Sequence, residues 1–275
     1  MTLLKTNLII VEGIPGSGKS TTAHFIKEYL ESEGITAKLF QEGDSRHPAD
    51  YESTACLHED QFNDILEAFP EHLKRIWEVA EKKGNHYFIP YRQLTNVDSA
   101  LVDELASYDV YELNLDTFED VSYHYWKEFV EQTEFEDEVY IFECCFLQNQ
   151  LTKYIAMHNA EPKRLADQLQ KISKLIAPLN PLLIYLYQED VDRSFHHVYE
   201  ERSQEWRQFF TDYHVKQGYG KANGLEGYQG LVEFLEMRRD LEMGILEDLS
   251  VKHMLIENGE KDWDAYYEKM KEAMK

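Results

Sequence analysis

Eight consecutive residues, Gly13-Ile14-Pro15-Gly16-Ser17-Gly18-Lys19-Ser20, carry the spacing G-x-x-x-x-G-K-[ST]. Those residue types in that order make a cradle for a polyphosphate. Glycines let main-chain N–H groups curl toward an anion with no Cβ in the way. The lysine ammonium can then reach the β- and γ-phosphates, and the serine hydroxyl can ligate the accompanying Mg²⁺. Gly13, Gly16, Ser17, Gly18, Lys19, Ser20 and Thr21 are therefore the expected contacts to a nucleoside triphosphate.

Two acids stand where a phosphoryl acceptor would be handled. Asp44 follows the second apolar stretch in Glu42-Gly43-Asp44-Ser45-Arg46-His47, and Glu143 closes the run Val139-Tyr140-Ile141-Phe142. Either carboxylate could take a proton from an acceptor hydroxyl, and Glu143 could instead join the Mg²⁺ shell with Ser20. Arg46 and His47 would line the acceptor pocket, the arginine holding an anionic group. Gln148 could add a neutral hydrogen bond. Arg193, Arg202 and Arg207 form a basic group that could close over the charge spread across the equatorial phosphate oxygens, with Arg202 favoured. Their alternative is ion pairing with Glu200, Glu201 and Glu205. Arg238 and Arg239 read as residues of a long surface helix. Tyr91 and Trp126, with Tyr87, Phe88, Tyr123 and Tyr125, could stack on a flat acceptor or belong to a core.

The elements that must position these residues follow from periodicity. Leu8–Val11 reads as a buried strand, and Ala23, Ile26 and Leu30 share one face of a helix after the loop. Thr36–Gln41 alternates as a second strand, Val139–Phe142 is a third, Leu182–Tyr187 a fourth and Lys252–Glu257 a fifth. Helical patterns fall at about 59–69, 71–83, 98–107 and 117–134, then along Leu165, Leu169, Ile172 and Ile176, and at about 191–201, 231–248 and 262–270. Alternating strands and helices imply an α/β fold with a parallel sheet and right-handed crossovers, whose ligands bind beyond the carboxyl ends of the strands. The expected organisation is one domain over 1–275. A helical insertion at 48–138 would form part of the acceptor site, and a lid-like segment would span 202–230, its five glycines from Gly218 to Gly230 allowing a mobile flap.

Composition narrows the partners. With 28 basic and 52 acidic residues the formal charge is −24, a poor surface for nucleic acid or anionic membrane. No run approaches the roughly 20 apolar residues of a membrane helix. The apolar run before the loop is too short for a secretory signal, and Cys56, Cys144 and Cys145 lack metal-ligand or disulfide spacing. A cytoplasmic setting with a small-molecule acceptor is expected, and a homodimer is left open.

The opening Val11-Glu12-Gly13-Ile14-Pro15-Gly16-Ser17-Gly18-Lys19-Ser20-Thr21-Thr22 resembles the P-loop small-molecule kinases of the nucleoside- and nucleotide-kinase group, thymidylate kinases in particular. Glu42–His47 is similar to the segment after the second strand of adenylylsulfate kinases. The resemblance implies a three-layer P-loop NTPase sandwich, ATP with Mg²⁺ as phosphoryl donor, lid arginines at Arg202 and Arg207, and an adenine contact at Asn258. Thymidylate and deoxynucleoside kinases carry an arginine after the acid of the third strand. This chain has Cys144 there, so their acceptor does not carry over. The likeness spans the sheet core and leaves out about 48–138. The function expected is transfer of the γ-phosphate to a hydroxyl or phosphate of a small molecule, a nucleoside-like acceptor first and an antibiotic or sugar-like alcohol next. The rival is a nucleotide-hydrolysing switch, although no N-K-x-D guanine motif is present.

Overall fold

The computed structural model describes residues 6–133 and 138–274. The chain divides into two compact units, one made of Met1–Glu42 and Trp126–Lys275, the other of Gly43–Tyr125. It begins in the first unit with β1 (Leu8–Gly13), α1 (Lys19–Ser32) and β2 (Thr36–Phe40). The second unit holds β3 (Thr54–His58), α2 (Glu59–Ala68), α3 (Leu73–Val79), β4 (Glu81–Lys83), β5 (His86–Pro90), α4 (Ser99–Ala106) and the start of α5 (Leu115–Gln132). The first unit then resumes with β6 (Glu138–Glu143), α6 (Gln148–Leu151), α7 (Pro162–Ile176), β7 (Leu182–Tyr187) and α8 (Val191–Glu200). It closes with α9 (Gln204–Val215), α10 (Gly218–Ala222), α11 (Gly227–Asp248), β8 (Lys252–Glu257) and α12 (Trp263–Ala273).

The first unit is built on a five-stranded sheet of order β2-β6-β1-β7-β8, parallel throughout. Every residue of β1 is buried, as are the first five of β7, the continuous apolar pattern of strands covered on both faces. One face packs Ile9, Val11 and Ile184 against Ala23, Ile26 and Leu30 of α1 and Tyr266 and Met270 of α12. On the other, the Phe142 ring meets Trp126 and Phe129 of α5, and Tyr185 reaches Glu242 of α11. The strand order reverses beside β1, so its carboxyl end opens a crevice where α/β sheets bind ligands. The phosphate-loop sequence starts at that end.

The second unit differs from a purely helical layer. Helices do form at Glu59–Ala68, Leu73–Val79 and Ser99–Ala106, but they pack on an antiparallel sheet of order β3-β5-β4. Ala55, Leu57, Phe62, Ile65, Ile76, Ile89, Leu101 and Leu105 make its core. The pattern that predicts helix over 71–83 ends early, because Ala80 turns extended and Glu81–Lys83 pairs with β5. Residues 134–137, inside the expected insertion and touching the end of the 117–134 helical pattern, lie outside the described residues.

Part of the glycine-rich stretch is close-packed, while Gly224 and Gly227 face open space. Gly218 and Gly220 lie in α10, where an added Cβ would collide with the carbonyls of Ala156 and His214. These glycines permit close backbone approach, and α11 begins already at Gly227. No described helix is long and apolar enough to cross a membrane.

Candidate functional site

The loop between β1 and α1 takes left-handed backbone at Gly13 (φ 144°), Gly16 (φ 82°) and Gly18 (φ 92°). Space explains the glycines as much as φ does. A Cβ at Gly13 would strike the Leu186 carbonyl, one at Gly16 would lie 2.6 Å from Val198 Cγ2 of α8, and one at Gly18 2.5 Å from Trp263 Cη2 of α12. The Lys19 ammonium is buried and donates to Gly13 O at 3.1 Å and Ile14 O at 3.2 Å. The first N–H groups of α1 have no intrahelical acceptor, and the helix dipole adds a partial positive charge there. Ser20 Oγ donates to Glu143 Oε1, so the hydroxyl and carboxylate expected to hold Mg²⁺ already meet across 123 residues of chain. Gln41 Nε2 donates to the other Glu143 oxygen at 3.4 Å.

The turn after β6 fixes the rest of this edge. Cys144 (φ 66°) and Cys145 (φ 73°) are consecutive left-handed residues, an arrangement that costs side-chain-bearing residues energy and marks an over-determined turn. It aims the N–H groups of Phe146, Leu147 and Gln148 at Glu12, whose carboxylate accepts them at 2.9, 2.7 and 3.3 Å. Glu12 is fully buried. Burial, then the nearby Glu242, push its carboxyl up to about 7, against the pull of the Leu147 amide, Arg238 and Lys19. Burial also drives the Cys144 thiol well above its usual range, and its S–H lies 3.5 Å from Glu42 Oε2. Gln148 Nε2 donates to Glu42 Oε1 at 2.6 Å.

Arg238 corrects its reading as a surface-helix residue. It is 2 % exposed. Its Nε donates to Glu242 Oε1 at 3.0 Å, and its Nη2 lies 3.3 Å from both Gly13 O and Gln148 Oε1. Tyr185 OH donates to the second Glu242 oxygen at 2.6 Å. Arg239, its neighbour, donates to the Gln188 and Glu189 carbonyls. Arg238 and Glu242 fall in register with the buried stripe Leu231, Leu235, Ile245 and Leu246 of α11, and Glu12 is an acid within the wholly buried strand β1. Both were signals in the sequence that charges lie inside.

Lys19, Ser20 and Glu143 are thus brought together, with Gln148 on the same edge of the sheet. Asn258, whose expected partner is adenine, is buried and donates Nδ2 to Ser17 O at 2.6 Å while accepting from Gln188 Nε2. Ser17 is buried and Thr21 exposed. The arginines are engaged elsewhere: Arg207 pairs with Glu200 at 3.0 Å and lies over Tyr199, and Arg202 lies over Trp206. Arg193 is exposed at the start of α8. Trp126 is fully buried, its ring against Phe129, Phe142 and Phe146, so it is core.

Asp44, Arg46, His47 and Tyr91 belong to the second unit. Burial would raise the Asp44 carboxyl, but Arg46, hydrogen-bonded through its backbone N–H and its guanidinium, holds it below the usual carboxylate range. Arg46 itself is 81 % exposed. His47 is buried, accepts from the Ala49 N–H at Nδ1, and burial drives its pKa down to about 3 despite Asp44. Tyr91 OH donates to Asp109 Oδ2 at 2.8 Å.

The parallel order with β1 between β6 and β7, the glycine-rich loop at its carboxyl end and the buried lysine define an α/β fold of the P-loop NTPase type. No family model matches the sequence, and no curated protein does. Among solved structures the chain is similar to a thymidylate kinase from Candida albicans, at 15 % identity and a TM-score of 0.41, over 98 % of this chain and 91 % of that one.

Proposed function

We propose that this chain is an ATP- and Mg²⁺-dependent phosphotransferase acting on a small molecule. The observation that carries the reading is the Ser20–Glu143 hydrogen bond beside the buried Lys19 ammonium. Ser20 and Glu143 have the oxygen donors that suit Mg²⁺, which prefers hard oxygen ligands and keeps several waters. Lys19 rests on two loop carbonyls, and a triphosphate would draw it onto the β- and γ-oxygens. The loop amides and α1 N-terminus would hold the phosphate chain. Catalysis of this kind is positioning plus charge stabilisation.

The acceptor oxygen would attack Pγ as the bond to the ADP oxygen breaks. Asp44, tied to Arg46, which holds its carboxyl below the usual carboxylate range, is a weaker proton acceptor than an ordinary aspartate.

The test is ADP release by purified protein with Mg²⁺-ATP, with and without a panel of small alcohols and phosphate monoesters. Acceptor-dependent release is expected. Slow acceptor-independent hydrolysis would favour a switch, and no ATP turnover under any condition would overturn the reading.

A further inference from the structure

A buried arginine is expensive to desolvate, and a well-packed apolar replacement is often no less stable. Arg238 therefore calls for a reason beyond folding. Its partners supply one. Nε is neutralised by Glu242, which Tyr185 steadies from β7. This leaves Nη2 to reach the Gly13 carbonyl, where the phosphate loop begins, and the Gln148 side chain on the turn after β6. The same Gly13 oxygen also accepts from Lys19. A lysine that moves to a triphosphate must abandon that oxygen, which is deep in the fold and out of reach of bulk water, since Gly13 is itself buried. A buried carbonyl left with no donor costs about 1–3 kcal/mol.

We propose that Arg238 is a positioning residue for nucleotide binding: it keeps the Gly13 carbonyl satisfied, and the loop aimed, when the Lys19 ammonium leaves for the phosphates. The inference rests on the phosphotransferase reading. It gives α11 a part in the reaction without touching substrate, and it ties the loop to the Gln148–Glu42 contact at the neighbouring strand ends.

The experiment separates this part from a merely structural one. The triple variant Arg238→Met/Glu242→Leu/Tyr185→Phe removes the charges and the hydroxyl together, so that neither Glu242 nor Tyr185 is stranded and the Gly13 carbonyl and the Gln148 side chain alone lose the Nη2 donor. Arg238→Lys keeps a positive charge and a donor. Each is checked for folding by circular dichroism and thermal unfolding, then titrated calorimetrically with Mg²⁺ and a non-hydrolysable ATP analogue. The expected result is a folded triple variant whose affinity falls about tenfold or more, the scale of one lost hydrogen bond of roughly 1.4 kcal/mol, with Arg238→Lys recovering part of the loss. A folded triple variant that binds within twofold of wild type overturns the proposal. A triple variant that does not fold hands the decision to Arg238→Lys against Arg238→Gln: equal affinity in those two overturns it, and tighter binding by the lysine variant upholds it. Wild-type protein that binds no nucleotide sinks the phosphotransferase reading itself, and this inference with it.

Discussion

Asn258, just past the last strand, donates its side-chain amide to the carbonyl of Ser17, 241 residues earlier in the chain. Its own carbonyl accepts from Gln188. One buried amide thus joins the phosphate loop to the ends of β7 and β8. Asn258→Ala is expected to destabilise the protein by roughly 1–3 kcal/mol, because two buried polar groups lose their partner. Asn258→Asp is expected to be at least as damaging, since a carboxylate oxygen would face the Ser17 carbonyl. Urea unfolding of the two variants measures the order, and a milder Asn258→Asp would show that the contact does not hold the loop.

The loop glycines are expected to rank by what each would strike. Gly13→Ala drives a Cβ into the Leu186 main chain, which is fixed by the sheet. Gly18→Ala meets the far edge of the Trp263 ring, a side chain with room to turn. Gly13→Ala should therefore lose more stability, and Trp263→Leu should relieve part of the Gly18→Ala loss but none of the Gly13→Ala loss. The φ strain of about 1–3 kcal/mol remains in both. Thermal midpoints of the singles and doubles decide it.

Glu12 sets a pH dependence with a defined sign. Its folded pKa, about 7, lies above the ordinary 4.5 because burial and Glu242 disfavour the charge. Between those values the folded chain holds a proton that the unfolded chain has released, so its contribution to stability falls as pH rises from 4.5 to about 7. At about 1.36 kcal/mol per pH unit the span is roughly 3 kcal/mol. Wild type is expected to lose about that much relative to Glu12→Gln across the window, read from urea unfolding at several pH values. A difference that stays constant with pH would refute the assignment.

His47 works in the opposite direction. Burial holds its pKa near 3, so the folded ring stays neutral where the unfolded one gains a proton. Its contribution to stability is full above about 6.5 and is lost as pH falls toward 3. Ring ¹⁵N shifts of His47 should not change between pH 7 and pH 4.5, whereas titration of the folded protein near pH 6 would contradict the buried neutral ring.

The loop, the five strands of the main sheet and most helices were legible in the sequence because each is a local pattern. Gly13–Ser20 carries its conformation in its own glycines, and Leu182–Tyr187 announces burial on both faces. The small sheet of the second unit was not legible. Thr54–His58 and Glu81–Lys83 are short, and what makes them strands is pairing with His86–Pro90. The same limit hid Arg238: its partners Gly13 and Gln148 lie 225 and 90 residues away, and only its place on the apolar stripe of α11 hinted at burial. The contact between Ser20 and Glu143 was foreseeable, since Ser20 lies in the first turn of the helix after β1 and Glu143 ends the parallel neighbour of β1.

The most direct measurement is calorimetric titration of wild type and Lys19→Ala with Mg²⁺ and a non-hydrolysable ATP analogue. A single site in wild type is expected, weakened by about tenfold or more in a folded Lys19→Ala variant, as loss of a charge-assisted contact of roughly 1.5–3 kcal/mol requires. Folded wild-type protein that takes up no nucleotide, or a Lys19→Ala variant that binds it equally well, would contradict the reading of this loop as a triphosphate cradle.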